Sequence, residues 1–328
     1  MQPVSEQPSS DNLSNILDAL PEQVVVLDEE GTIVYVNQSW IDFGLANQGE
    51  QVDWSGLSYL GECQKAVDSG DLSAVDVVQG IREVLNGKEE HFQHEYPCHS
   101  VDEHRWFHFR LFRVPQSEEN RFLGIHYDIT EKVLSEQKTK RMANEDALTG
   151  VFNRRGFEAQ FDLLWERCHR LVEPMSIAIL DLDNFKEIND LFGHQVGDRC
   201  LGQLADLLRE YTDIPASFCA RLGGDEFVLA WASMSVRQAR FMIKEMMEDV
   251  QAIRISGVLP VGAVRLSISV GLADFVPSPQ LNQSNVLKTT DDLLYQAKRD
   301  GKAKLKYQSI DVASTDPETN GKGVDGWR

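Results

Sequence analysis

Basic side chains are scarce in this sequence. Its 32 lysines and arginines face 52 aspartates and glutamates, a net charge of −20, and residues 1–140 hold 25 acidic against 10 basic residues. Duplex nucleic acid needs a basic footprint for its phosphates and is not an expected partner. One nucleotide is still admissible, because metal ions and a few local cations can neutralise it. Cysteines are few and odd in number (Cys63, Cys98, Cys168, Cys200, Cys219), so no disulfide framework is expected, and reduced thiols in the cytoplasm fit better. No apolar run approaches the ~20 residues of a membrane span, and the first ten residues show no secretory leader. No membrane insertion is expected, and a signal should arrive in solution or through a partner. Internal repeats are also lacking.

What is present suggests two domains of about 150 residues each. Residues 1–11 read as a flexible lead. An amphipathic helix over 12–20 carries Leu13, Ile16, Leu17 and Leu20 on one stripe and stops at Pro21. A hairpin over Val24–Val36 follows, then short helices through 85, then strands near 90–96, 104–114 and 121–128. This order predicts an α+β domain over 12–130 with a five-stranded antiparallel sheet. Residues 131–145 lack Gly and Pro and have a thin apolar seam, which reads as a helical linker. Residues 146–308 alternate helices and apolar strands. They include a strand at Met175–Leu180, strands on either side of Gly223-Gly224, a strand at Val264–Leu272, a helix at Asp291–Asp300 and a last strand at Ala303–Tyr307. Residues 309–328 form a polar tail without expected order.

Two acidic clusters stand out. Asp181-Leu182-Asp183-Asn184-Phe185-Lys186 follows the apolar strand, and Arg221-Leu222-Gly223-Gly224-Asp225-Glu226-Phe227 marks a hairpin tip. Carboxylates at a strand end and a hairpin tip can share one metal ion, and hard oxygen donors suit Mg²⁺, which keeps phosphate oxygens among its ligands. Paired glycines let a backbone approach a ligand closely and take positive φ. Acidic residues at turns are also commonly solvated surface or caps.

Residues 221–227, RLGGDEF, resemble the signature of the GGDEF family of diguanylate cyclases. DALTGVFNRRGF at 146–157, ILDLDNFKEINDLFGHQVGD at 179–198, SVGLA at 269–273 and DDLLYQAKRDGK at 291–302 extend the resemblance across about half the chain. It implies a fold similar to nucleotidyl cyclases and polymerase palm domains. The implied reaction condenses two GTP into cyclic di-GMP and two pyrophosphates, across a homodimer with one GTP per domain. It further implies that Asp181, the Leu182 carbonyl, Asp225 and Glu226 hold Mg²⁺ or Mn²⁺, with Asp225 and Glu226 in catalysis. By the same resemblance Asn189 and Asp198 read guanine. Lys186, Lys298 and Lys302, with the Asn184, Phe185 and Lys186 amides, meet phosphate, and Gly223 and Gly224 leave room for the nucleotide. Guanine offers two N–H donors that a carboxylate such as Asp198 complements; adenine does not, which disfavours ATP.

Two departures matter. The family's product-inhibition site, Arg-x-x-Asp, falls here on Ile214 and Ser217, so no inhibitory site is expected; Lys302 stands where the family tends to have arginine. A catalytically silent GTP-binding or dimerisation relay is the alternative function.

The order of elements in 12–130, with Gly31, Asn37 and the closing Gly124–Thr130, resembles a PAS sensor domain. Its ligand is not readable. His94, on one face with Phe92 and Tyr96, is a candidate for haem or metal ligation; Cys98 and His99, with Cys63, are another set. An empty pocket or one for a small organic ligand stands beside them. Phe107, Phe109 and Leu111 read as core.

Overall fold

The computed structural model describes residues 10–48, 52–70, 73–100, 103–115, 120–255 and 264–310. Most of the expected flexible lead (1–9) and the polar tail (311–328) lie outside these residues. Two compact units meet in sequence between Gln137 and Lys138.

The first unit contains α1 (Ser10–Asp18), β1 (Gln23–Leu27), β2 (Ile33–Val36), α2 (Gln38–Gln48), α3 (Tyr59–Asp68), α4 (Ser73–Leu85), β3 (His91–Pro97), β4 (Trp106–Arg113) and β5 (Phe122–Asp128). All strand pairs are antiparallel, in the order β2-β1-β5-β4-β3. Alternation along β4 buries Phe107, Phe109 and Leu111 on one face, and Val25, Leu27, Ile33, Ile81 and Val84 complete the core with Phe109 and Leu111. Ile16, expected on the buried stripe of the first helix, is exposed. Helix α5 (Thr130–Asn144) has no buried residue, in keeping with its thin seam.

Two buried polar side chains organise this unit. Asn37 is fully buried. Its Oδ1 accepts from the Val24 and Trp40 amides, and its Nδ2 donates to the Leu17 and Glu22 carbonyls, tying the end of α1 to β1 and α2. His126 on β5 stacks on Phe109 at 4.5 Å between ring centroids and meets the edge of Trp40 at 5.3 Å. The Tyr96 hydroxyl lies 2.7 Å from its Nδ1 and the Tyr59 hydroxyl 3.2 Å from its Nε2.

The second unit contains α6 (Arg154–Leu171), β6 (Met175–Leu182), α7 (Phe185–Phe192), α8 (His194–Glu210), β7 (Ser217–Gly223), β8 (Glu226–Ala232), α9 (Val236–Ala252), β9 (Ile268–Phe275), α10 (Gln283–Arg299) and β10 (Leu305–Ile310). The sheet runs β10-β9-β6-β8-β7; β10 is parallel to β9 and every other pair is antiparallel. Every residue of β6 is buried. Ala178, Leu180 and Leu182 pack with α8 and α9 residues such as Leu204 and Ile243, while Met175, Ile177 and Ile179 pack with Phe161 of α6 and Leu294 of α10. A strand covered on both faces reads as a continuous apolar run, as it does here.

Two boundaries differ from expectation. Helix α10 starts at Gln283 rather than Asp291, capped by Asn282, whose side chain accepts from the Ser284 amide. Thr290 interrupts the apolar pattern in sequence, yet it is fully buried because its hydroxyl donates to the Val286 carbonyl one turn back. The strand expected from Val264 begins at Ile268. Ser267 instead turns its carbonyl to the Asp183 amide at 2.8 Å, bonding the loop after β6.

Burial lowers the His126 pKa from 6.5 to about 3. The unfolded chain therefore takes up a proton below pH 6.5 that the folded unit refuses until about pH 3, and stability falls with pH in that window. We expect this group to cost the first unit about 2 kcal/mol between pH 7 and pH 5. Denaturant unfolding of His126→Gln should show a flatter pH slope than the native chain; equal slopes would contradict the assignment.

Candidate active site

The register of β6 against β8 assembles the acidic residues. Asp181 pairs directly with Glu226, and the Leu182 amide donates to the Asp225 carbonyl at 3.2 Å. Asp181, Leu182, Asp225 and Glu226, separated by more than forty positions in sequence, thus share one sheet end. Between β7 and β8 the chain turns through Gly223 (φ 152°) and Gly224 (φ 54°). A Cβ on either would meet no protein atom within 4 Å, so conformation rather than crowding calls for glycine here.

Arg221 holds this turn. Its Nε and Nη2 donate to the Gly224 carbonyl at 2.9 and 2.7 Å, and its Nη1 donates to Asp146 at 2.9 Å. Burial pushes the Asp146 carboxyl up, but hydrogen bonds from Thr149 and Arg221 outweigh it, and its pKa is lowered. Sequence reading quoted both residues in its motifs without giving them a role.

At the end of β6 the two aspartates diverge. Asp183 is buried, and its carboxylate accepts from the Ser267 hydroxyl at 2.8 Å, the Ser269 hydroxyl at 2.6 Å and the Ala303 amide at 2.9 Å. It fixes the loop after α10, where Lys302 and Ala303 both take positive φ. From that loop Lys302 Nζ donates to Asn184 Oδ1. Asp183 stands in the first acidic cluster of the sequence, but nothing local to it gives it this role, because its donors come from residues 267, 269 and 303.

Asp181 accepts Lys298 Nζ from α10 at 2.6 Å. Burial raises its pKa to about 6; the hydrogen bond from Lys298 opposes this, and the charges of Asp225 and Glu226 add to it. Among the described residues no three His, Cys, Asp or Glu side chains already converge as a metal cluster. The set is nonetheless short of positive charge and made of hard oxygens, which suits a divalent cation.

Asn184 precedes α7 in a left-handed conformation and makes no side-chain cap, so the first amides of α7 keep their donors. Lys186 is exposed, and Phe185 packs partly into the core. The α7–α8 turn brings Asn189 against Gly197, beside exposed Asp198: a Cβ at Gly197 would lie 2.0 Å from Asn189 Oδ1. Among the described residues that Oδ1 is buried without a hydrogen-bond partner. An acceptor buried without a partner is costly to the fold.

Residues 143–304 match the family model "Diguanylate cyclase, GGDEF domain", and residues 17–134 match the PAS fold. The chain is a PAS-GGDEF protein. It is similar to diguanylate cyclase DgcM of Escherichia coli, 33% identical over 183 residues that cover 56% of this chain and 43% of that one. It is also similar to the biofilm architecture maintenance protein MbaA of Vibrio cholerae, 34% identical over 181 residues, 53% of this chain and 22% of that one. The chain thus spans less than half the length of these relatives. The coiled coil and GGDEF domain of DgcB from Caulobacter crescentus, crystallised with c-di-GMP, shares the fold with a TM-score of 0.50 and 24% identity, covering 54% of this chain and 93% of that one.

In the GGDEF domain Asp183→Asn would turn a donor toward groups that already donate. We expect it to lower the domain's stability by about 2–3 kcal/mol, as for a buried hydrogen-bonded carboxylate. Thermal unfolding checks this; a change within a few tenths of a kcal/mol would show that Asp183 does not anchor the loop.

Proposed function

We propose that this protein is a diguanylate cyclase that joins two GTP molecules into cyclic di-GMP and two pyrophosphates, under control of its PAS domain. The observation that carries this reading is the β6–β8 register, which puts Asp181, the Leu182 carbonyl, Asp225 and Glu226 at one sheet end beside the Gly223-Gly224 turn. These residues would hold Mg²⁺ or Mn²⁺. When bound, the ion supplies charge stabilisation to the attacking and leaving oxygens of an in-line displacement.

The protein residues then divide the work. The unpartnered Asn189 Oδ1 accepts a guanine N–H, and Asp198 complements the N1–H and N2–H pair. Amides at the start of α7, with Lys186, hold phosphate at a helix N-terminus. Lys298 and Lys302, held by Asp181 and Asn184, supply the remaining cations for phosphate. Glu226 flanks the attacking 3′-hydroxyl. The 3′-hydroxyl passes its proton to Glu226 as its oxygen bonds to the α-phosphorus of the second GTP, the bond from that phosphorus to the bridging oxygen breaks, and pyrophosphate leaves with the electron pair.

Each domain binds one GTP, so a homodimer brings the two halves together and sets the rate. The functional division is a sensor over 12–130, a helical linker over 131–145 and a cyclase over 146–308. No helix among the described residues is long and apolar enough to cross a membrane. GTP as substrate supports work in the cytoplasm.

Incubation with GTP and Mg²⁺, with mass detection of products, tests the proposal. Cyclic di-GMP is expected from the native chain and at least a hundredfold less from Glu226→Gln, as for a transition-state contact. Nucleotide without product, at dimerising concentrations, would favour the silent relay. Gly197→Ala should raise KM for GTP about tenfold by displacing Asn189, while Gly202→Ala, which meets no atom within 4 Å, should not. Ser217 spends its hydroxyl on the Thr212 and Ile214 carbonyls, so micromolar cyclic di-GMP should inhibit little through that surface.

A further inference from the structure

Helices α3 and α4 and strands β3, β4 and β5 wall a cavity of about 330 Å³ in the PAS domain. Ala66, Ala74, Val77 and Phe109 make it largely apolar. His94 and Cys63 line it, whereas Cys98 and His99 do not. Burial pushes the Cys63 thiol up to about 11, so it stands in the cavity as a neutral thiol. His126 has both ring nitrogens engaged by tyrosine hydroxyls, leaving neither for a metal.

Those two contacts cannot be alike. His126 is kept neutral by burial, and a neutral imidazole has one N–H and one bare nitrogen. One tyrosine therefore donates to the ring and the other accepts from it. The accepting tyrosine keeps its own O–H proton, for which no acceptor exists among the described residues. The shorter contact, 2.7 Å from Tyr96 to Nδ1, fits the O–H donor, and the 3.2 Å contact makes Tyr59 the acceptor. Tyr59, half-buried on the cavity wall, is left with a proton that has no partner among the described residues. No Lys, Arg, Asp or Glu lines the cavity among the described residues, so a charged ligand would be buried without a counter-charge.

We infer that this cavity binds a small, uncharged, mainly apolar organic molecule through a carbonyl-type oxygen, which accepts the proton that the Tyr96–His126–Tyr59 relay leaves on Tyr59. The polar contact fixes orientation and the apolar wall supplies most of the affinity.

Isothermal titration of the full chain with three matched probes tests this: 2-acetonaphthone (neutral acceptor), 2-naphthoate (anion) and 2-ethylnaphthalene (no acceptor). The ketone should bind at least tenfold tighter than the carboxylate. Tyr59→Phe, with its fold checked by circular dichroism, should weaken the ketone about tenfold and leave 2-ethylnaphthalene unchanged. Ala74→Leu, which fills the cavity, should abolish binding of both. Absence of ketone binding, equal or tighter carboxylate binding, an unaltered Tyr59→Phe, or binding that survives Ala74→Leu would each overturn the inference. The readout is binding, so its failure is separate from any failure of cyclase activity.

Discussion

The pairing of β6 with β8 in a single register is the constraint on which the GGDEF domain depends. Both strands are buried along nearly their whole length, and their side chains are divided between two core layers. A slip of one residue would exchange those layers and carry Asp181 away from Glu226. The burial that secures the fold thus also secures the site. The cost falls on the carboxylates: Asp181 sits at a half-dry strand end beside two like charges, and Lys298 is the cation that answers it. The proposed site for metal and phosphate is thus an acidic cluster answered by Lys298.

Around this constraint, buried polar groups hold the loops. Asp183 takes three donors to fix the 301–303 turn, and Arg221 spans the hairpin tip and Asp146. In the PAS domain Asn37 and His126 play comparable parts. Asn37 is satisfied on both sides of its amide, so it locks the strand–helix junction. His126 is satisfied by its neighbours but leaves one of them, Tyr59, with a proton to give, and a fully satisfied network would have no such handle.

Much of this was legible in the sequence because the relevant signals are local. The apolar run at 175–180, the glycine pair, and the acidic residues beside both are contiguous strings with one physical reading. Strand alternation likewise revealed Phe107, Phe109 and Leu111 as core. What escaped was the information held in side-chain pairing across distance. Thr290 reads as polar until its hydroxyl is seen bonded within its own helix, so the first two turns of α10 were lost. Asp183 looks like a second metal ligand or a surface acid until its three donors are placed. His126 is one of six histidines between residues 91 and 126, and nothing local distinguishes it from His94; its neighbours Tyr59 and Tyr96 are 67 and 30 positions away.

The most direct test of the account is Mn²⁺ binding followed by electron paramagnetic resonance in the presence of a non-hydrolysable GTP analogue. If the β6–β8 register builds one metal site, Asp181→Asn and Asp225→Asn should each weaken Mn²⁺ binding at least tenfold, with both variants retaining native unfolding temperatures. Mn²⁺ held as tightly by either variant as by the native chain would contradict the claim that these two carboxylates share an ion.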